Sequence, residues 1–271
     1  MSTTPKTKGL GQPKVEFRSV SQYNTYSGCG YRYYLERIER AWQRPASWLS
    51  QGTAVHAAME SWEKSGREKT LDALIDEYRE EFRKSIGEQA EDTPNFNFWF
   101  GSGPYSGPAD IERRFGLGEE QLLKLIAWAE DHPEEKVWTA PDGTPGIEID
   151  FMEDMGGVMV KGFIDLILET PQGLVVRDYK TGAKPGDTFQ LAVYSEAMRL
   201  KYGVEINQGD FMMGKTGKPT LPYKITAEDR ADVHKRFEWL EKNIQDGVYE
   251  PSPSSSNCRM CAVSTGCPFA V

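Results

Sequence analysis

Two apolar, β-branched segments that each carry an aspartate constrain this chain more than any other feature. Residues 160–168 and 174–180 have the composition of adjacent strands, joined by a turn around Pro171. If the loop centres between positions 171 and 172, Asp165 lies directly opposite Asp178, and their Cβ atoms are about 4.5–5.5 Å apart. Carboxylates placed this close repel each other, and a divalent cation would turn the repulsion into chelation. The hairpin therefore predicts a metal site.

The register of this hairpin and the position of one lysine decide what the site can do. Asp178 and Lys180 are two positions apart, so they share one face of the second strand. A left-handed bulge at Gly173 would shift the pairing by one residue and leave the two aspartates out of step. Phosphodiester hydrolysis needs a metal, an activated water and a cation near the charge of the transition state. The hairpin holds residues suited to all three parts.

The charge of the chain is unevenly distributed. The 271 residues carry a formal net charge of −9, but residues 1–44 hold eight Lys or Arg against three acids, which leaves −14 for the rest. A basic N-terminal segment suits a phosphate backbone, although solvated helix faces and a polar leader would give the same balance. The sequence has neither a membrane-span-length apolar stretch nor an apolar signal region at its start, so we expect a cytoplasmic protein and no membrane partner.

The order of patterned segments predicts an α/β fold with a mixed sheet flanked by helices. We expect a flexible tail over 1–18 and a single domain over 19–271. That domain divides into a mainly helical part (19–135), a sheet core (136–225) and a C-terminal helix with a cysteine segment (226–271). The expected strands cover 136–140, 146–153, 157–169, 173–180 and 205–213, with a helix over 187–202 and a long helix opened by Thr226.

Four cysteines form a second constellation. Cys258, Cys261 and Cys267 are close in sequence, and Cys29 lies far upstream. A reducing cytosol makes structural disulfides poor candidates, and four thiolates suit either a tetrahedral zinc or a [4Fe–4S] cluster. The single CxxC argues modestly against a zinc ribbon, while unligated reduced cysteines are the simpler alternative. A metal centre here would join the first helix to the last segment.

One apparent nucleotide motif is excluded by its context. Residues 209–216 match the GxxxxGK[ST] pattern of a phosphate-binding loop. Asp210–Met213 has strand composition, however, and Gly217-Lys218-Pro219 continues a turn where the motif requires a helix. We therefore expect no nucleotide cofactor.

The motifs occur in an order that resembles the RecB-like branch of the PD-(D/E)XK nucleases. The resemblance is greatest to the iron–sulfur members, namely the CRISPR-associated Cas-four-type exonucleases and the nuclease domains of AddB-type helicase–nucleases. It extends over residues 19–268, except that 63–135 match no known pattern. The matching residues are Ser21-Gln22-Tyr23, Tyr26, Cys29, Arg32-Tyr33, Gly52, His56, Gly162, Asp165, Asp178-Tyr179-Lys180, Gln190, Tyr194 and the three C-terminal cysteines.

This resemblance implies a role for each matching residue. Asp165, Asp178, His56 and the backbone carbonyl of Tyr179 would bind Mg²⁺ or Mn²⁺, with the imidazole favouring Mn²⁺. Lys180 would orient or deprotonate the attacking water. The remaining implied roles are as follows: Gln190 and Tyr194 line the catalytic site, Cys29, Cys258, Cys261 and Cys267 hold [4Fe–4S], Arg18 and Arg32 lie beside the DNA, and Glu148 is an accessory carboxylate or an ordinary exposed strand residue.

The resemblance also implies an activity. We expect a metal-dependent DNA exonuclease with a restriction-endonuclease-like core, acting on single-stranded ends in the 5′→3′ direction. The alternative is a DNA-binding or end-trimming subunit that works only inside a CRISPR-adaptation or recombination complex. The host cell (bacterial, archaeal or phage-infected) and assembly into a homo-oligomer stay open. The aromatic residues between 96 and 105 are expected to pack on the core, with base stacking as the alternative.

Overall fold

A computed structural model describes residues 17–271 of the chain. These residues form eight α-helices and seven strands in three consecutive blocks. Helices come first, a β-meander follows, and the last block contains both helices and strands. The helices are α1 (Val20–Gly28), α2 (Gly30–Tyr33), α3 (Ser47–Lys64), α4 (Leu71–Asp92), α5 (Gly107–Asp131), α6 (Thr188–Tyr202), α7 (Ala227–Gln245) and α8 (Ser255–Arg259). The strands are β1 (Lys136–Val137), β2 (Ile147–Asp154), β3 (Met159–Thr170), β4 (Gly173–Lys180), β5 (Gln208–Met213), β6 (Lys218–Pro219) and β7 (Tyr223–Lys224).

The strands form one mixed sheet in the order β1-β3-β4-β5-β6, with β2 beside β3 and β7 beside β5. Every neighbouring pair is antiparallel except β4 and β5, which run parallel and are connected through α6. The mixed sheet flanked by helices confirms the fold class expected from the segment order. The short strands β6 and β7 were not predicted, because two-residue strands carry no readable periodicity.

Two hydrophobic layers cover the two faces of the sheet. On one face, α6 and α7 pack on residues such as Ile164 and Phe151. On the other face, α3, α4 and α5 pack on residues that include Leu166 and Tyr179. Apolar burial on both sides fixes the sheet between two helical layers, and the polar side chains at its centre are enclosed with it.

The N-terminal boundary differs slightly from the expected one. Residues 1–16 of the predicted tail lie outside the described residues. Arg18 is part of the fold, because it bridges Val160 of β3 and its guanidinium lies 2.7 Å from Glu241 of α7.

The segment with the apparent phosphate-binding motif is a β-hairpin. Gln208–Met213 is the inner strand β5, and the backbone N–H groups of Thr216 and Gly217 donate to the carbonyl of Met213 in the following turn. β6 follows this turn in place of a helix, as expected from the sequence. The capping box predicted at Thr226 is present, with Asp229 as its reciprocal partner. No helix in the described part of the chain is long and apolar enough to cross a bilayer.

Two glycines of α5 provide a matched test of how closely α4 and α5 pack. A Cβ atom at Gly118 would lie 2.1 Å from the ring of Tyr78, whereas a Cβ atom at Gly116 would meet nothing within 4 Å. We expect Gly118→Ala to lower the free energy of unfolding by about 1–3 kcal/mol through overpacking. Gly116→Ala should raise it by about 0.5–1 kcal/mol, since alanine is the better helix former. Denaturant unfolding measures both, and equal effects of the two variants would contradict this packing.

Candidate active site

The two aspartates of the hairpin lie where β3 and β4 separate. The ladder runs from Thr170 opposite Gly173 to Leu166 opposite Arg177, which is the register of a two-residue loop without a bulge. The next pair in this register would be Asp165 and Asp178. In place of a backbone pair, Oδ2 of Asp165 accepts a hydrogen bond of 2.7 Å from the backbone N–H of Tyr179. The separation opens a polar gap inside an otherwise buried sheet.

Glu148 adds a third carboxylate to this row. Ile147 pairs with Leu166 and Ile149 pairs with Ile164, so Glu148 lies between them, opposite Asp165, without a ladder partner. Its φ of +46° is a left-handed conformation, which is strained for a residue with a Cβ atom. This local distortion places its carboxylate in the site, so Glu148 is not an ordinary exposed strand residue.

His56, Glu148 and Asp165 converge on one point. One ligand atom from each lies within 4.8 Å of the others, a spacing that suits a shared cation. His56 comes from α3, and its Nδ1 lies 3.3 Å from Oδ2 of Asp165. The three side chains line a groove of about 460 Å³ together with Glu60. The sequence suggested His56 with Asp165 and Asp178, whereas the closest group in the structure contains Glu148.

Asp178 belongs to a second set of contacts, on the α6 side of the sheet. Its Oδ2 lies 2.6 Å from the Nζ of Lys180, which donates to Oε1 of Gln190 at 2.9 Å. Nε2 of Gln190 donates to the hydroxyl of Tyr194 at 2.7 Å, and that hydroxyl donates to Oδ1 of Asp178 at 3.4 Å. The four side chains close a ring that fixes the lysine beside the aspartate.

The charges of the site are strongly coupled. Burial, followed by the charge of Asp165, raises the pKa of Glu148 to about 7 and that of Asp178 to about 6. Burial lowers the pKa of His56, but the attraction of Asp165 outweighs it and the net pKa is about 9. Burial keeps the pKa of Tyr194 well above 10, so its hydroxyl stays a neutral donor. Without a cation the site retains protons that a cation would displace.

Two further features fit a cation bound in this gap. Oδ2 of Asp178 is buried and receives no aligned hydrogen bond from a described residue, despite its short distance to Lys180. The backbone N–H of Tyr179 faces Asp165, and a strand residue directs its N–H and C=O to the same side, so the Tyr179 carbonyl faces the gap as well. Oxygen ligands of this kind suit Mg²⁺ or Mn²⁺, and the imidazole of His56 suits Mn²⁺.

The four cysteines line one cavity of about 90 Å³, together with Arg32 and the Pro251–Pro253 turn. All four are free thiols. The backbone N–H of Ser252 lies 3.3 Å from the sulfur of Cys29. The structure therefore brings residues from the two ends of the domain to one place, as the resemblance implied.

The two arginines expected beside DNA have different environments. Arg18 is buried against Glu241, which leaves its guanidinium little surface for DNA. Arg32 is more exposed, pairs with Glu36 at 2.6 Å and lines the cysteine cavity. Of the aromatic residues between 96 and 105, Trp99 and Phe100 pack in the core as expected, whereas Phe96, Phe98 and Tyr105 are exposed.

A buried polar chain that no sequence pattern indicated supports the end of β4. Gln121 of α5 donates to the carbonyl of Thr181, directly after Lys180, and accepts from Gln51 of α3. Gln51 in turn accepts from Arg114, which is held by the fully buried Asp110. Helix α5 of the unmatched region 63–135, together with Gln51 of α3, thus holds the strand end that carries the lysine.

Carboxylates from three neighbouring strands, with a lysine two residues after the last of them, therefore form the candidate site. The chain belongs to the PD-(D/E)XK nuclease superfamily, which matches it over residues 18–268. This match spans both helical layers, the sheet and the cysteine segment, so the family assignment applies to the whole described fold.

The similar proteins include two phage products. The Gene 69 protein of Mycobacterium phage D29 is 46% identical over 267 residues, covering 96% of this chain and 99% of its own length. The Gene 69 protein of Mycobacterium phage L5 is 44% identical over 281 residues, with 94% and 97% coverage. A crystal structure of an exonuclease candidate from Eubacterium rectale aligns with a TM-score of 0.40 and 15% identity, covering 93% of this chain and 88% of that chain.

Glu148→Gln should weaken metal binding but raise the stability of the metal-free protein. Losing one carboxylate ligand should weaken Mn²⁺ binding at least about 10-fold, as measured by titration calorimetry. The folded-state pKa near 7 lies above the unfolded value, so ionised Glu148 reduces stability as pH rises through this range. At pH 8 the metal-free variant should therefore be more stable than the wild type, by about 1–2 kcal/mol.

The control for this experiment is Glu60→Gln. Glu60 lines the same groove but lies outside the close group of three ligand atoms. Its replacement should leave Mn²⁺ affinity within about two-fold of the wild type. Equal losses of affinity in the two variants would show that Glu148 acts only through the general negative charge of the groove.

Proposed function

We propose that this chain is a metal-dependent DNA exonuclease that hydrolyses single-stranded ends in the 5′→3′ direction. The observation that carries the proposal is the gap between β3 and β4, where Asp165, Asp178 and Glu148 meet His56 and Lys180. The preference for single-stranded ends and the polarity rest on the resemblance to RecB-like nucleases. The phage origin of the two similar proteins supports a phage-infected bacterial cell as the setting.

A divalent cation held by Asp165, Glu148, His56 and Asp178 would polarise a phosphoryl oxygen and lower the pKa of a bound water. The side chains prepare this site by their own geometry. Asp165 is fixed by the Tyr179 N–H, so its carboxylate need not reorganise when the charge of the site changes.

Lys180 supplies the positive charge that the protein itself brings to the reaction. Gln190 and Asp178 hold its ammonium group at the edge of the gap. From there it can orient the attacking water and stabilise negative charge that develops on the phosphate. Tyr194 holds Gln190 and Asp178 together, so Gln190 and Tyr194 position the lysine.

We further propose that the four cysteines hold a [4Fe–4S] cluster. The cavity of about 90 Å³ is several times larger than the space that one water molecule needs, which supports a group larger than a single ion. The cluster would join Cys29 to the C-terminal segment.

The nuclease assignment predicts that Asp178→Ala or Lys180→Ala abolishes cleavage while the fold is retained. Each change removes a group that binds the cation or stabilises the phosphate, so we expect rates at least about 100-fold lower. The assay uses end-labelled single- and double-stranded DNA with Mn²⁺, Mg²⁺ or EDTA, and the position of the label reports the polarity. EDTA should stop cleavage completely.

Lys184→Ala is the matched control, because Lys184 is an exposed lysine in the loop after β4. It should cleave at the wild-type rate. Undiminished activity in Asp178→Ala and Lys180→Ala would refute this active site. A wild-type protein that is inactive alone but active with partner proteins would favour the alternative of a subunit that trims ends inside a larger complex.

The cluster assignment predicts a brown protein with visible absorption when it is purified without oxygen. Iron analysis should give about four iron atoms per chain. Cys29→Ser should lose the colour and lower the unfolding temperature, because the link between distant segments is broken. The control is Met260→Leu, an exposed residue between two of the cysteines, which should keep the colour. One zinc and no iron per chain would overturn the cluster.

A further inference from the structure

A line of exposed aromatic and cationic side chains leads away from the metal site along β3. Phe163 lies two residues before Asp165 and is 51% exposed. Lys161 follows at the next position of the same face. Its Nζ lies 5.9 Å from the ring of Phe163 and 5.4 Å from the ring of Phe17. Phe17 is 36% exposed, so the lysine lies between two accessible rings.

These side chains are on the same side of the sheet as the candidate site. Val160 and Ile164 pack into the layer of α6 and α7, so alternation places Lys161 and Phe163 on the opposite face. That face carries α3, whose His56 contacts Asp165. At about 3.3 Å per strand residue, the stretch from Asp165 to Lys161 measures about 13 Å. This length accommodates about four stacked nucleotides at 3.4 Å each.

The far end of the line is a basic pocket. Phe17 lines a cavity of about 440 Å³ with Arg37, Arg40 and Gln43. Glu36 also lines it, but its carboxylate is paired with Arg32. Within residues 17–271, no carboxylate lies within ion-pair distance of Arg37, Arg40 or Lys161, although the chain as a whole is strongly acidic.

The backbone around this pocket is locally unusual as well. Arg37 belongs to a π-helical turn, Tyr34–Ile38, and Arg40 has a φ of +53°. Both features are uncommon and are frequent at functional sites. Arg37 and Arg40 line the same pocket, and both belong to the basic segment 1–44.

We infer that Phe163, Lys161, Phe17 and the Arg37–Arg40 pocket form a binding track for single-stranded DNA that ends at the metal site. Aromatic faces stack on successive bases, and interleaved cations contact the phosphates, which is how proteins bind single strands without reading sequence. Duplex DNA would hide its base faces from Phe163. The inference rests on the proposed nuclease function and adds to it the residues that select the substrate.

The test measures equilibrium binding of a labelled single-stranded oligonucleotide and of an abasic oligonucleotide of equal length. Ca²⁺ replaces Mn²⁺ to maintain the charge of the site, and the oligonucleotide is verified to stay intact. Phe163→Leu keeps an apolar side chain but loses the π-face, so it should bind the normal oligonucleotide about 5- to 100-fold more weakly. It should bind the abasic oligonucleotide as the wild type does. Phe163→Tyr keeps the ring and should restore binding.

The salt dependence separates the cations from the rings. Lys161→Gln and Arg40→Gln should each lower the slope of log affinity against log salt by about 0.7, the value for one phosphate contact of a single strand. Phe163→Leu should leave this slope unchanged. Thermal unfolding of each variant checks that these surface changes keep the fold.

The outcomes distinguish the track from the proposed function. If the wild type cleaves and binds single-stranded DNA but Phe163→Leu, Lys161→Gln and Arg40→Gln bind it equally well, the track is refuted and the nuclease stands. If the wild type binds the abasic oligonucleotide as tightly as the normal one, base stacking is refuted. If the wild type neither binds nor cleaves DNA, both the proposed function and the track fail.

Discussion

Repulsion among three neighbouring carboxylates is the constraint on which the rest of this structure depends. Asp165 lies between Glu148 on one neighbouring strand and Asp178 on the other, and burial makes each negative charge costly. Side chains from both sides of the sheet offset this cost. His56 of α3 approaches Asp165 from one face, and Lys180, held by Gln190 and Tyr194 of α6, approaches Asp178 from the other. A sheet enclosed by two helical layers is what allows opposite charges to reach the same gap from two directions.

The helical region without a recognised motif has a mechanical role in this arrangement. The polar chain from Asp110 through Arg114, Gln51 and Gln121 ends on the carbonyl of Thr181, one residue beyond the lysine. Asp110, Gln51 and Gln121 are buried, and the polar groups of the chain satisfy one another, so the chain is rigid rather than adaptable. The position of Lys180 therefore depends on α3 and α5 as well as on its own strand. The geometry of the candidate site thus depends on the sheet and on both helical layers.

The sequence predicted the mixed fold and the strand pairing well, because hydrophobic alternation and turn residues are local signals. The midpoint of the loop near Pro171 placed Asp165 opposite Asp178. A loop midpoint at Gly156-Gly157 would likewise have placed Glu148 opposite Asp165, so the position of this carboxylate could have been predicted from the sequence. Other features were not, because they depend on contacts between distant segments. The burial of Arg18 against Glu241 and the approach of Gln121 to Thr181 have no signature in local spacing.

The cysteine cavity has a consequence for how the molecule is made. Cys29 precedes the hairpin of Asp165 and Asp178 in the sequence, whereas Cys258, Cys261 and Cys267 follow it. All the carboxylates and the lysine of the active site are therefore synthesised before the cavity can close. A chain that stops before Cys258 keeps the hairpin of Asp165 and Asp178 but lacks three of the four cysteines that line the cavity. The order of residues along the polypeptide thus means that the candidate site is synthesised before the segment that completes the cysteine cavity.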